Sequence, residues 1–205
     1  GCDSLRMYEL FVGPPELDAE WDDRGIDGVS RFLKRFWNLV LDNKDKGTKE
    51  TPESVKLRHK LVYDITSRLN SFSLNTVISG FMEYNNKMSE MAKKEGIDKE
   101  TLETAVVLIA PFAPHLAEEL WQELGHEESV FKNTWPEHDE DAMKDDEIEV
   151  PVQINGKTKA VISIPAEISK EDAIAEGKKA VADKISGNII KEIYVPKKII
   201  NIVVK

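Results

Sequence analysis

An α+β fold in two parts is the class the sequence predicts: an all-α antiparallel helical bundle followed by a small ββαββ domain. Three observations carry that expectation. Apolar residues recur at helical spacing up to about residue 125 and with a period of two from Ile148 onward. Between these regions Glu137–Glu149 holds eight acids against Lys144 alone, a self-repelling block that reads as an exposed linker. The charge also reverses there, since Pro151–Lys205 carries ten bases and six acids in a chain of net charge −10.

The bundle is built from five apolar stripes. Ile26, Val29, Leu33, Phe36, Trp37 and Val40 make the first, and Arg24, Arg31 and Arg35 share the opposite side of its wheel. Val55, Val62, Ile65, Leu69 and Phe72 make the second, and Leu74, Val77, Ile78, Phe81 and Met88 the third. Leu102, Ala105, Val106 and Ile109 form a fourth, stopped near Pro111. Pro114 suits the first turn of a fifth helix that carries Leu116, Leu120, Trp121 and Leu124 and ends at Gly125. Gly13-Pro14-Pro15 is a breaker, and Trp21, Trp37 and Trp121 are expected in the core. Amphipathic helices with short connections bury their stripes as an antiparallel bundle.

The second part opens on a hairpin. Ile148, Val150, Val152 and Ile154 alternate before Asn155-Gly156, a strong turn signal. A strict two-residue loop would set Val152 against Lys159 and put charge on the apolar face. Pairing Val152 with Ala160, Val150 with Ile162 and Ile148 with Ile164 restores that face. A three-residue loop or a bulge is therefore expected, with Lys157 at the tip and Lys159 beside Gln153. Ser169 caps the next helix, with Asp172 at the capping-box position and Ile174, Val181 and Ile185 on the buried side. Strands from Ile189 to Val195 and from Ile199 to Val204 follow.

Composition excludes several classes. With 40% hydrophobic and 32% charged residues the chain is neither disordered nor membrane-spanning, and Cys2, its one cysteine, forms no internal disulfide. No secretory leader is read, so a cytoplasmic location is expected. The four histidines give no zinc spacing, and neither a metal site nor a catalytic residue is expected. His115-Leu-Ala-Glu118-Glu119 lacks the second histidine of a helical metal motif and reads as a helix start. Lys87-Met88-Ser89 resembles a phosphate-stabilising synthetase loop, yet it sits inside a helical stripe with Glu90 where a lysine is needed. The basic sets remain: Arg24, Arg31 and Arg35 on one helix, Lys157 and Lys159 on the hairpin, and Lys197 and Lys198 in the last turn. A solvated face is their bland reading, but sign reversal on a small module is what a phosphate-contacting surface requires.

Longer runs carry a family resemblance. Cys2-Asp3-Ser4-Leu5-Arg6, Gly13-Pro14, Glu20 through Gly28 and Arg31-Phe32-Leu33 resemble bacterial leucyl-tRNA synthetase. So do Leu108 through His115, Glu119-Leu120-Trp121 and Trp135-Pro136. The hairpin Gln153 through Lys157 and the terminal Tyr194-Val195-Pro196-x-Lys198 and Asn201 through Val204 are similar to the leucyl member specifically.

The resemblance covers the whole chain but only the last part of such an enzyme. It implies that residues 1–13 end the catalytic and stem-contact region. Residues 14–136 would then be the helical anticodon-binding-type domain, 137–147 an acidic linker and 148–205 a tRNA-binding C-terminal domain. It implies leucine–tRNA ligase activity for the parent protein, with ATP and Mg as its substrates, and no cofactor or catalytic motif in this portion. The implied partners are leucine tRNA, through its elbow, variable arm and stem, and the rest of the synthetase in cis, in a monomer. Asn155, Gly156, Lys157 and Lys159 are the candidate RNA contacts, with Arg31, Lys34 and Arg35 beside them. The family hairpin usually continues Asn-Gly-Lys-x-Arg. Lys159 stands at its last position here, which removes bidentate guanidinium geometry. The alternative is a non-catalytic helical protein-interaction module.

Overall fold

The computed structural model describes residues 1–14, 17–144, 147–166, 168–185, 187–196 and 198–205. Pro15, Asp145, Asp146 and Lys197, which enter the sequence expectations above, lie outside the described residues. Two compact units emerge, Gly1–Met143 and Lys144–Lys205, and the division falls inside the acidic stretch.

The first unit is helical: α1 (Cys2–Phe11), α2 (Asp23–Asn43), α3 (Pro52–Asn70), α4 (Leu74–Lys94), α5 (Lys99–Ile109) and α6 (Pro114–Glu123). Local chemistry sets several starts. The Asp22 carboxylate accepts the Arg24 amide at α2. Thr51 and Ser54 form a reciprocal capping box at α3, with Pro52 in the first turn. Asp98 caps α5 through the Thr101 amide at 2.9 Å.

The apolar stripes then meet in one core. Phe32, Phe36 and Val40 of α2 pack with Leu61, Val62 and Ile65 of α3 and with Val77, Ile78 and Phe81 of α4. Leu102, Val106 and Ile109 close it from α5, and Leu120 and Trp121 from α6. Residues 1–13 contribute to the same core, because Met7 and Tyr8 of α1 are buried in it.

Two aromatic residues depart from the expected pattern. Phe72 does not end the stripe of α3. It takes a left-handed φ of 55°, while the Ser73 amide donates back to the Arg68 carbonyl, and the ring turns outward to 64% exposure. Trp21 lies outside the core at 58% exposure, standing edge-on to the Tyr8 ring at 5.0 Å.

The second unit runs β1 (Glu147–Ile154), β2 (Lys157–Pro165), α7 (Lys170–Ala180), β3 (Ile189–Val195) and β4 (Ile199–Val204). Its sheet has the order β2-β1-β4-β3, with β1 and β4 parallel at the centre and antiparallel partners outside. Val150, Val152, Ile154, Ile164, Ile200 and Ile202 face Ala173 and Val181 in a separate small core. Gly177 lets α7 settle onto β4. A Cβ at that position would stand 3.0 Å from Ile200 Cγ2.

Candidate nucleic-acid interface

The hairpin tip is a two-residue loop. Asn155 at φ 49° and Gly156 at φ 78° are both left-handed, the geometry whose twist matches the flanking strands. Ile154 pairs with Lys157 and Gln153 with Thr158, after which the register shifts and Val152 pairs with Ala160. The apolar pairs Val152–Ala160, Val150–Ile162 and Ile148–Ile164 stand as the sequence requires. Of the two devices expected, the fold uses the bulge. Lys157 is thus the first residue of β2, not the tip. Lys159 is the extra residue of the bulge, and Thr158, not Lys159, faces Gln153.

Lys157 and Lys159 are both exposed. Lys184, just beyond α7, donates its Nζ to the Lys159 carbonyl at 3.0 Å and fixes the bulge from the helix side. Sequence reasoning missed Lys184, because nothing in its local pattern marks a partner 25 residues away.

Asn155 is engaged through its backbone amide and both ends of its carboxamide. Its amide donates to the Ile202 carbonyl at 3.0 Å. Its carboxamide pairs with Val204, donating Nδ2–H to the carbonyl at 3.1 Å and accepting the amide on Oδ1 at 2.9 Å. The Gly156 amide donates to Asn201 Oδ1 at 3.2 Å. Asn155 and Gly156 therefore shape the tip and brace it on β4, leaving the lysines as the groups that face outward.

On the first unit α2 presents Arg31, Lys34 and Arg35 on its exposed side. Among the described residues no side-chain hydrogen bond or ion pair engages these three, whereas Arg24 is held by Asp22 at 3.1 Å. Arg35 is among the residues that line a groove of about 560 Å³ between α2 and α4. The two basic sets belong to different units, and each is a local feature of its own unit.

The other motifs resolve into structure. His115 Nδ1 lies 2.8 Å from Asp3 Oδ1, and Glu118 accepts from the Ser129 hydroxyl and the Val130 amide. Met88 is buried, Lys87 lies over the Tyr84 ring, and the Ser89 hydroxyl donates to the Asn85 carbonyl. Tyr84 donates to Asp64, and burial first, then this bond, holds its phenol well above the ordinary range, so it stays protonated. Among the described residues no group of three metal-ligating side chains comes together. No helix of the described residues is long and apolar enough to cross a membrane.

The chain thus consists of a helical unit and a small sheet unit, and each carries exposed cations, Arg31, Lys34 and Arg35 on α2 and Lys157 and Lys159 on the hairpin. Its sequence matches the family described as the anticodon-binding domain of tRNA ligase over residues 55–174, and the chain belongs to that family. Among curated relatives it is 39% identical to the leucine–tRNA ligase of Fervidobacterium nodosum, covering all of this chain and 27% of that protein. It is 42% identical to the leucine–tRNA ligase of Parabacteroides distasonis, again over its whole length and 22% of that protein. The chain thus spans about a quarter of the length of these relatives. Among solved structures it is similar to the AgnB2 LeuRS of Agrobacterium radiobacter K84, crystallised as a ternary complex with tRNA and LeuAMS. The TM-score is 0.77 at 28% identity, over all of this chain and 28% of that one.

Proposed function

We propose that this chain is the tRNA-binding C-terminal portion of a leucine–tRNA ligase, and that it positions leucine tRNA for ATP-dependent leucylation carried out elsewhere in the parent protein. The observation that carries this reading is the match of the whole chain, across both units, to a LeuRS crystallised with tRNA. The exposed cations suit the role. RNA is recognised largely through shape, phosphates and 2′-hydroxyls, and lysines on a rigid bulged hairpin reach phosphates without entering a deep groove.

In this reading residues 1–13 continue from the catalytic region, 14–136 cradle the tRNA stem, 137–147 link, and the ββαββ domain of 148–205 meets the elbow and variable arm. Lys157 and Lys159 contact phosphates, Asn155 and Gly156 hold the tip in shape, and Arg31, Lys34 and Arg35 contribute from α2. ATP and Mg belong to the parent reaction, which runs in the cytoplasm, and the protein acts as a monomer. Catalysis gains because a reactant held in geometry needs no further search.

The test is binding of this chain to leucine tRNA and to a tRNA with a short variable arm, across a salt series. Tighter binding to leucine tRNA, weakened by salt, is expected. Binding to neither at low salt would favour the protein-interaction module instead.

A further inference from the structure

Asp3 and Arg6 sit three residues apart on one face of α1, and together they grip the corner between α5 and α6. Helix α6 has no cap of its own, since Ala113 at its N-cap offers no side-chain acceptor. Asp3, only 8% exposed, supplies one from 113 residues away. Its Oδ2 accepts the Leu116 amide at 2.8 Å, and its Oδ1 meets His115 Nδ1. Arg6 holds the turn between α5 and α6, donating Nη2–H to the Pro111 carbonyl at 3.2 Å. A carboxylate thus meets the positive end of α6, and a guanidinium holds a carbonyl of the turn that leads into it.

The same helix also fixes the entry to α2. The Tyr8 hydroxyl donates to the Asp22 carbonyl at 2.9 Å and accepts the Asp22 amide at 3.1 Å. Met7 and Tyr8 are buried in the same core, so rotation of α1 would disturb packing as well as these hydrogen bonds. The arrangement keys α1 to the corner of α5 and α6 and to the helix that carries Arg31, Lys34 and Arg35.

We infer that Asp3 and Arg6 are positioning residues: through the α5–α6 corner they set the angle at which the tRNA-binding helices are presented to the part of the ligase that α1 continues from. This rests on the reading proposed above. A small rotation of α1 would displace the distant acceptor end of a bound tRNA while leaving the binding face itself intact.

The test uses the leucine–tRNA ligase that carries this chain, with Asp3→Ala, Arg6→Ala and the conservative Asp3→Asn, which keeps an acceptor for the Leu116 amide. Leucylation kcat and tRNA KM, leucine-dependent pyrophosphate exchange and Tm are measured for each. The alanine variants are expected to lose about tenfold or more in leucylation kcat. Their tRNA KM should stay within about twofold, with exchange, which needs no tRNA, unchanged. Asp3→Asn should recover part of the loss. Unchanged kcat in both alanine variants would overturn the inference, as would a loss of kcat accompanied in proportion by weaker tRNA binding and lower Tm. An unaltered protein that charges no leucine tRNA would instead sink the ligase reading, and this inference with it.

Discussion

Asn155 completes β4 with its side chain: the carboxamide makes both hydrogen bonds that a neighbouring strand would make to Val204, at 3.1 and 2.9 Å. Strand β1 ends at Ile154, opposite Ile202, so the ladder to β4 would otherwise stop one pair short. The left-handed backbone at Asn155 turns the chain away and leaves the amide group in the place of the missing strand residue. Few residues other than glycine tolerate that conformation, and asparagine also carries a donor and an acceptor.

Replacing Asn155 with alanine should therefore lose two hydrogen bonds and add left-handed strain. The expected cost is about 2 kcal/mol for the second unit. Asn155→Asp keeps the acceptor for the Val204 amide but loses the donor, and should cost less. Amide exchange at Val204 reads this directly. Unaltered protection there in Asn155→Ala would show that the pairing contributes nothing.

The bulge makes a sharper prediction, because it can be removed. Deleting Lys159 leaves Gln153 opposite Thr158 and Val152 opposite Ala160, so every apolar pair of β1 and β2 keeps its face. That variant should fold with a change of about 1 kcal/mol or less. Deleting Ala160 instead puts Lys159 opposite Val152, which is fully buried, and should cost about 2 kcal/mol or more. Urea unfolding followed by far-UV circular dichroism distinguishes the two. Equal stability of both deletions would contradict the bulge. Deleting Lys159 should also lower the magnitude of the salt slope of tRNA binding by about one charge's worth.

The helical stripes were legible because burial of one helix face leaves a 3.6-residue record, and Phe36, Val62, Ile78, Val106 and Leu120 all keep it. The hairpin register was legible for the same reason at a period of two. Phe72 was not, because an apolar residue at a helix end carries no mark of a left-handed φ. Trp21 misled because a large aromatic ring can stay at the surface, here at 58% exposure and edge-on to Tyr8. The roles of Asp3, Lys184 and the Asn155 carboxamide rest on partners far along the chain. Local patterning records such pairs only when both ends are apolar, and these are polar.

Asp98 links the first unit's stability to pH. It is 4% exposed, caps α5 through the Thr101 amide and hydroxyl, and lies 3.5 Å from Arg58, which also meets Glu50 and Glu100. Burial works against its ionised form, but hydrogen bonds from Ser54 and Thr101 and the charge of Arg58 outweigh it and hold the carboxyl below its ordinary range. A lowered folded pKa means that its stabilisation is complete above the unfolded value of about 4 and is lost as pH falls through the folded one. Asp98→Asn should cost about 1–2 kcal/mol at neutral pH, and the deficit should shrink as wild type is acidified. All four tryptophans, Trp21, Trp37, Trp121 and Trp135, lie in the first unit, so fluorescence isolates its transition. A pH-independent difference would rule out this linkage.

Gly177 sets helix propensity against packing. Alanine is favoured over glycine in a helix interior by about 1 kcal/mol, so Gly177→Ala would stabilise α7 if space allowed. The space is short. The new Cβ would stand 3.0 Å from Ile200 Cγ2 and 3.1 Å from its Cδ1. Ile200 is fully buried on a central strand, paired with Val152 on one side and Tyr194 on the other. It cannot yield without moving both neighbours, and overpacking of this kind costs about 1–3 kcal/mol. The clash should therefore win, and amide exchange at Ile200 and Ile202 should quicken in Gly177→Ala. Slower exchange in the variant would mean that α7 rides free of the sheet and that propensity alone decides its stability.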